Sequence, residues 1–410
     1  MHTNLMHSSK LPFSLEQSET GKKNFKERFR NFFCGFLLYA GSLGYQSAII
    51  LAIFYFCIWL AGRKTVQAYR GESLLTGILI LSALSVVNNT LGIVTGEAQI
   101  NSLQDYIPYL LLVASTVYFV RYINIETLHW FIILVLCEIV IAFFLKEAGI
   151  NNIWGIEMSK GTLLYDQKVA GLSINSSGFG YKILNAVVIY EFIKHYAPDK
   201  KFLPRIIFYP LILLGLFLSF NRTTILCFSL FAALLCSVNY RQINIKIKLL
   251  IFLLCIIAGI IVLQNYETIM FELFRGDMDF EGNALSERPD VYAYYISFLM
   301  THPFTGNFSF KLWSDIFQDG RLFHPHNSYL LTLVAHGFLI STVFFLLILR
   351  YFNKNNLLFL IPFLVAGILQ SYIFWGLSVN DILFYYLLLF NFKAEQSTIE
   401  KNLTGEKCIP

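Results

Sequence analysis

Apolar runs of about twenty residues, the length at which a helix crosses a bilayer, recur along almost the whole chain. They fall near 31–44, 45–61, 73–94, 105–121, 128–146, 175–194, 204–220, 222–239, 247–264, 327–349, 356–376 and 380–392. Lipid offers the backbone no hydrogen-bond partner, so each run has to satisfy its own N–H and C=O groups as a helix. The expectation is an all-α polytopic membrane protein with about 12 transmembrane helices. Charge content agrees: 14% of the 410 residues are charged, against about 25% in a soluble domain. That is too little polar side chain to cover a water-facing globule, which excludes a soluble enzyme, a disordered chain and a disulfide scaffold. The seven cysteines fit the same frame. Their number is odd, no CxxC occurs, and all but Cys408 lie in apolar runs, as small core side chains do.

Positive charge orients the spans. With the N-terminus cytoplasmic, the segments 1–31, 62–72, 121–127, 194–205, 240–248, 350–356 and 391–410 face the cytoplasm and hold 22 of the 31 Lys and Arg. This favours an even number of spans with both termini inside. It also favours two helices over 31–61, turning at Gly41-Ser42-Leu43-Gly44, over one long tilted helix that would break the alternation. The resulting organisation is a cytoplasmic tail over 1–30, helices one to nine over 31–264, a large outer-face loop over 265–326, helices ten to twelve over 327–392, and a cytoplasmic tail over 393–410. The N-terminal 30 residues carry no apolar stretch of signal-peptide type. The net charge of +5 is scattered over short loops, so no nucleic-acid partner is expected. The large loop carries nine acidic and four basic residues between 265 and 325. Its Gly, Pro and aromatic content predicts short helices, one of them amphipathic over 291–300. A loop of this length in a compact chain is usually functional.

Chemistry-bearing residues gather on that outer face. Phe220-Asn221-Arg222-Thr223-Thr224 joins two apolar runs with almost no loop, which sets Arg222 at a hairpin tip near the membrane. It reads either as a snorkelling interfacial arginine or as an anion clamp, since its planar fork matches phosphate oxygens. Arg288, in Ser286-Glu287-Arg288-Pro289-Asp290, reads as a solvated charge, a partner of its acidic neighbours, or a second clamp. His324-Pro325-His326-Asn327-Ser328 runs directly into a span. Two histidines two residues apart with a proline between them, and no cysteine or tight carboxylate set nearby, make a poor metal site, and no metal is expected. Asn327 and Ser328 are natural N-caps, and the imidazole of His326 is suited to proton transfer. Glu138 in mid-span reads as functional by default or as a satisfied interhelical hydrogen bond. Lys182 either contacts phosphate or snorkels. His302, before Pro303, reads as a loop-packing residue.

Arg222 after an apolar helix, Arg288 followed by His302-Pro303-Phe304-Thr305-Gly306, and His326-Asn327-Ser328-Tyr329-Leu330 with Gly337 together resemble the O-antigen ligase/polymerase family of bacterial inner-membrane glycosyltransferases. Ala170-Gly171-Leu172-Ser173-Ile174-Asn175-Ser176-Ser177-Gly178 is similar to that family's loop before its central hairpin. The resemblance implies a glycosyltransferase of lipopolysaccharide biosynthesis, working at the periplasmic face. Its donor would be a glycan on undecaprenyl pyrophosphate, and its acceptor a sugar hydroxyl of lipid A–core for a ligase or of a second lipid-linked glycan for a polymerase. It implies no cofactor and no metal, and membrane lipid as the surroundings. Carried over residue by residue, Arg222 and Arg288 would bind the pyrophosphate and His326 would activate the hydroxyl. His324, Asn327 and Lys182 would support them. The slight lean is to a ligase. The rival is a lipid or sugar transporter, for which charges through several helices or matching halves are expected; here the charged motifs lie at one face and the halves do not match.

Overall fold

The computed structural model describes residues 25–44, 72–97, 106–155, 168–198, 202–239, 288–307, 314–315, 322–323, 325–374 and 378–390, with Gln264 and Glu267 as single positions. The described residues form helices α1 (Phe25–Gly41), α2 (Glu72–Val94), α3 (Tyr106–Tyr122), α4 (Ile125–Glu147), α5 (Ser176–Tyr196), α6 (Arg205–Ser219) and α7 (Arg222–Asn239). There follow α8 (Arg288–Thr301), α9 (Ser328–His336), α10 (Phe338–Leu349), α11 (Lys354–Leu369) and α12 (Val379–Phe390). One short antiparallel pairing, Ser314–Asp315 with Leu322–Phe323, interrupts the helical pattern. The expected spans 45–61 and 247–264 fall outside the described residues except for Gln264, as do most of 265–287 and nearly all of both tails.

Two of these helices, Ser73–Val94 and Ile125–Glu147, are long and apolar enough to cross a membrane. At about 1.5 Å per residue their length of 22–23 residues covers roughly 33 Å, a bilayer core. Shorter apolar helices pack beside them. Large apolar side chains are left outward-facing along several helices, among them Val94, Ile107, Leu213, Phe217, Leu346 and Leu349. A water-soluble chain of this size would not leave so much apolar surface bare, whereas lipid covers it without cost.

The bundle has two ends of different chemistry. At one end α1 and α4 begin together: Asn31 Nδ2 donates to Glu126 at 2.7 Å and Asn124 Nδ2 to Asn31 at 3.0 Å. There too Arg205 makes a two-pronged bond to Glu191, at 3.0 and 2.6 Å, and Tyr196 meets Asn356. At the other end the connections interlock. Ile174 N–H bonds to Leu43 C=O, Ala170 N–H to Asn151 C=O and Val169 N–H to Leu218 C=O. That second end collects the 168–175 loop and the 220–222 turn.

The region read as one span over 327–349 is two helices. The break is at Gly337, and its cause is the segment 303–307. In a continuous helix Phe338 N–H would bond to Val334 C=O. Instead Phe338 N–H bonds to Pro303 C=O, and Val334 C=O takes Asn307 N–H. The inserted segment is gripped from the far side by Asn88, which donates to Phe304 C=O and Thr305 C=O, and by Asn89, which donates to Gly306 C=O at 2.9 Å. Close approach of two backbones is possible only because both crossing residues lack a Cβ. Gly306 has φ +69° and Gly337 φ +80°. A Cβ on Gly306 would lie 2.6 Å from Ala335 C=O, and one on Gly337 would run into Phe304 C=O. Gly337→Ala is therefore expected to cost at least about 2 kcal/mol, combining left-handed strain with a backbone clash. A lowered melting temperature in detergent, with new protease cleavage inside 303–307, would show it; an unchanged melt would remove the account. The expected span 356–376 is likewise shorter than its apolar pattern: α11 ends at Leu369 and residues 370–374 turn back.

Candidate functional site

The turn between α6 and α7 is as tight as its sequence implied. Phe220 takes the left-handed conformation at φ 39°, and its N–H closes α6 on Leu216 C=O. Asn221 then caps α7, its side-chain oxygen accepting Thr224 N–H at 2.9 Å. Arg222 is the first residue of α7 and is half-buried. A cation at a helix N-terminus opposes the helix dipole by about 0.3–1 kcal/mol, so the sequence places arginine where the isolated helix least favours it. An anion bound there reverses that sign, because it gains the arginine fork and the positive end of the helix dipole together. Arg288 stands in the same relation to α8, as its first residue.

The interlocking end of the bundle is built around a second charge pair. Lys182, buried at 1% exposure, sets its ammonium 2.7 Å from one oxygen of Glu138 and 2.5 Å from the other. Glu138 is fully buried and also accepts Leu172 N–H at 2.9 Å. Gly171, at φ +60°, lets the loop come this close. Lys182 is thus held inside the bundle by Glu138 rather than reaching for phosphate or the interface, because a buried carboxylate is the strongest partner within reach. Glu138 is an ion-pair partner, not a simple interhelical hydrogen bond. The pair fastens the 168–174 loop, and through Val169 that loop lies against Leu218 beside the Arg222 turn. Lys168, also buried, flanks the same turn. Breaking the pair by Lys182→Met leaves an uncompensated buried carboxylate and is expected to destabilise the protein by roughly 3–5 kcal/mol. Adding Glu138→Gln in the same chain is expected to recover most of that loss. A double variant melting no higher than the single one would refute this.

His326 lies just before α9. Its backbone is left-handed, φ 40°, a conformation histidine tolerates better than most side chains. Its Nδ1 is 2.7 Å from Gln370 Oε1. Asn327 is the N-cap of α9 and accepts Tyr329 and Leu330 N–H, each at 3.0 Å. Ser328 does not cap. Its hydroxyl donates to Gln370 C=O at 3.0 Å and accepts Tyr372 and Ile373 N–H at 2.8 and 3.1 Å, stapling the 370–374 turn to the head of α9. From that turn a buried relay runs to α5: Tyr372 Oη donates to Asn185 Oδ1 at 2.5 Å, Asn185 Nδ2 to Asn380 Oδ1 at 2.6 Å, and Asn380 Nδ2 to Tyr372 C=O at 3.0 Å. The ring of Tyr181 lies 4.7 Å from that of Tyr372. Gly180, its neighbour, lies against Asn221 and Thr224.

This chain of contacts joins the His326 mouth to the Arg222 turn at one end of the bundle. Arg288 is brought in by α8, whose Val291 and Tyr295 share a small core with Val334 of α9. The 303–307 clasp joins the C-terminal ends of α8 and α9, so the two helices lie side by side in the same direction. The N-terminus of α8 is thereby carried toward the end at which His326 precedes α9. Residues 207–345 match a family model described as O-antigen ligase. Over that third of its length the chain is similar to the O-antigen ligase/polymerase family. The matched stretch runs from α6 to α10 and takes in Arg222, Arg288 and His326. The O-antigen ligase domain carries a glycan-transfer function of surface polysaccharide biosynthesis, in a membrane-associated family. No curated protein and no solved structure matches the chain.

Some expected residues stand elsewhere or unseen. His324 falls outside the described residues, as do Lys311 and Arg321, and the side chain of Arg288 is likewise undescribed. His302 stacks on Phe298 with ring centroids 4.8 Å apart, the loop-packing place expected of it. Gln370 and Tyr372 were not singled out from the sequence. A glutamine interrupting an apolar run, in Leu369-Gln370-Ser371-Tyr372, was the signal available.

Proposed function

We propose that this protein transfers a glycan from undecaprenyl pyrophosphate to a sugar hydroxyl at the periplasmic face of the bacterial inner membrane, acting as an O-antigen ligase with lipid A–core as acceptor. The observation that carries the reading is the union, at one end of an apolar bundle, of two helix N-termini that begin with arginine and a histidine mouth. The pyrophosphate meets Arg222 and Arg288 at the heads of α7 and α8. The acceptor hydroxyl attacks the anomeric carbon from the side opposite the pyrophosphate. Its C–O bond forms as the bond to the pyrophosphate oxygen breaks, the hydroxyl proton passes to His326, and undecaprenyl pyrophosphate leaves with its electron pair. Direct displacement inverts the anomeric carbon. A low-dielectric surrounding strengthens the attraction of arginine for the growing negative charge. The basic ends of the helices, Arg28 and Arg30 in α1, Arg121 in α3, Lys194 in α5 and Arg350 after α10, lie at the opposite end of the bundle, which supports placing that end in the cytoplasm.

The test is a gel of surface lipopolysaccharide from a strain lacking the gene, run beside its lipid-linked glycan pool. Core without O-antigen, with long chains stranded on the carrier, is the expected result. Core bearing a single repeat would make the protein a polymerase, whose acceptor is a second lipid-linked glycan. A normal ladder would overturn both.

A further inference from the structure

We propose that Gln370 is the positioning residue of His326: its side-chain carbonyl holds the Nδ1 proton, so the neutral ring turns its Nε2 lone pair to the acceptor hydroxyl. This rests on the reading of His326 as the base. A carbonyl oxygen only accepts, so the 2.7 Å contact between Nδ1 and Gln370 Oε1 requires Nδ1 to be the donor. In a neutral imidazole the other nitrogen is then unprotonated.

The arrangement is held from both sides. Gln370 N–H stays bonded to Ala366 C=O at 2.9 Å, as the last rung of α11. Gln370 C=O accepts the Ser328 hydroxyl, two residues beyond His326. Ser328 in turn takes Tyr372 and Ile373 N–H. The head of α9 is thereby stapled to the end of α11, and the ring cannot turn without breaking the Gln370 bond.

A neutral partner suits the site. A carboxylate at 370 would favour the imidazolium and fill the lone pair the reaction needs. Other titratable and charged groups on the surrounding elements have partners of their own. Asp381 accepts Phe374 N–H and the Ser378 hydroxyl, Tyr329 donates to Leu364 C=O, Tyr372 donates to Asn185, and Lys182 is held by Glu138. The ring of Tyr181 meets that of Tyr372 at a tilt of 60°, and Arg222 heads α7.

The experiment uses the full-length protein in membranes, a synthetic undecaprenyl-pyrophosphate-linked glycan and purified lipid A–core, with initial rates taken across pH 5–9. Gln370→Leu, which removes the acceptor at similar size, is expected to lower the transfer rate roughly 30-fold with the donor KM unchanged, since a mis-set tautomer costs part of the 10²–10⁴-fold that a general base supplies. Gln370→Glu keeps an acceptor and is expected to retain activity at high pH, with the acid limb moved up by about one pH unit, because the added negative charge favours the protonated ring. If Gln370→Leu fails to accumulate, the limb of Gln370→Glu decides alone, and an unmoved limb overturns the proposal. Wild-type rates in Gln370→Leu, with His326→Asn inactive, overturn it while leaving His326 as the base. Full activity in His326→Asn overturns the base and the proposal together.

Discussion

Arg222→Ala is expected to lower glycan transfer about a thousandfold, and Arg222→Lys to recover less than a tenth of the loss, the scale seen when one donor to a developing oxyanion is removed. The reason lies in the geometry of the α6–α7 turn. Phe220 is left-handed and Asn221 caps α7, so residue 222 opens the helix at the positive end of its dipole. Guanidinium presents a flat pair of donors to two phosphate oxygens at once, while an ammonium offers a single point of charge. The same site in the lysine variant keeps the charge and loses the fork. Both variants are expected to raise the donor KM as well as lower kcat, because pyrophosphate is charged before and during the reaction. Protein level in the membrane, read by immunoblot, separates lost chemistry from lost fold. Transfer within threefold of wild type in Arg222→Ala would leave Arg222 as an interfacial arginine and no more.

The second large effect concerns His326. His326→Asn is expected to lower kcat by about 10²–10⁴-fold, the range for removal of a general base, with the donor KM nearly unchanged. Asparagine is the informative replacement because the backbone there is left-handed, φ 40°, and asparagine tolerates that region where alanine does not. Alanine would mix a backbone penalty of about 1–3 kcal/mol into the result. The contrast with Arg222 is the sharper test: a base acts only as the proton moves, so its loss falls on kcat. An Asn variant whose defect lies entirely in donor KM would assign His326 to binding instead.

The match over residues 207–345 bears out the family resemblance drawn from Arg222, Arg288, the 302–306 segment and the 326–330 segment. Those residues were legible because each is a polar punctuation in an apolar chain. The clasp at 303–307 was not. Pro303 and Gly306 are visible as turn residues, and Gly337 as a lone glycine, but nothing local states that the backbone of one enters the helix of the other. Glu138 in mid-span and Lys182, read as contacting phosphate or snorkelling, stood as two separate charges 44 positions apart, and only packing of α4 on α5 makes them one pair. Gln370 looked like part of a continuous span.

What the sequence alone determined is what depends on neighbours along the chain: helices where apolar runs outlast a turn, their ends at Gly, Asn and Pro, the tight turn before Arg222, and the cap at Asn327. Each follows from backbone bonds that lipid leaves unsatisfied unless the segment satisfies them itself. Tertiary structure alone decided which polar groups meet across helices: the Glu138–Lys182 pair, the splitting of α9 from α10 by residues 303–307, and the bond from Gln370 to His326. A buried polar group must find a partner, but any of several helices can supply it. Hydropathy says that such a partner exists, and only the packed bundle says which one.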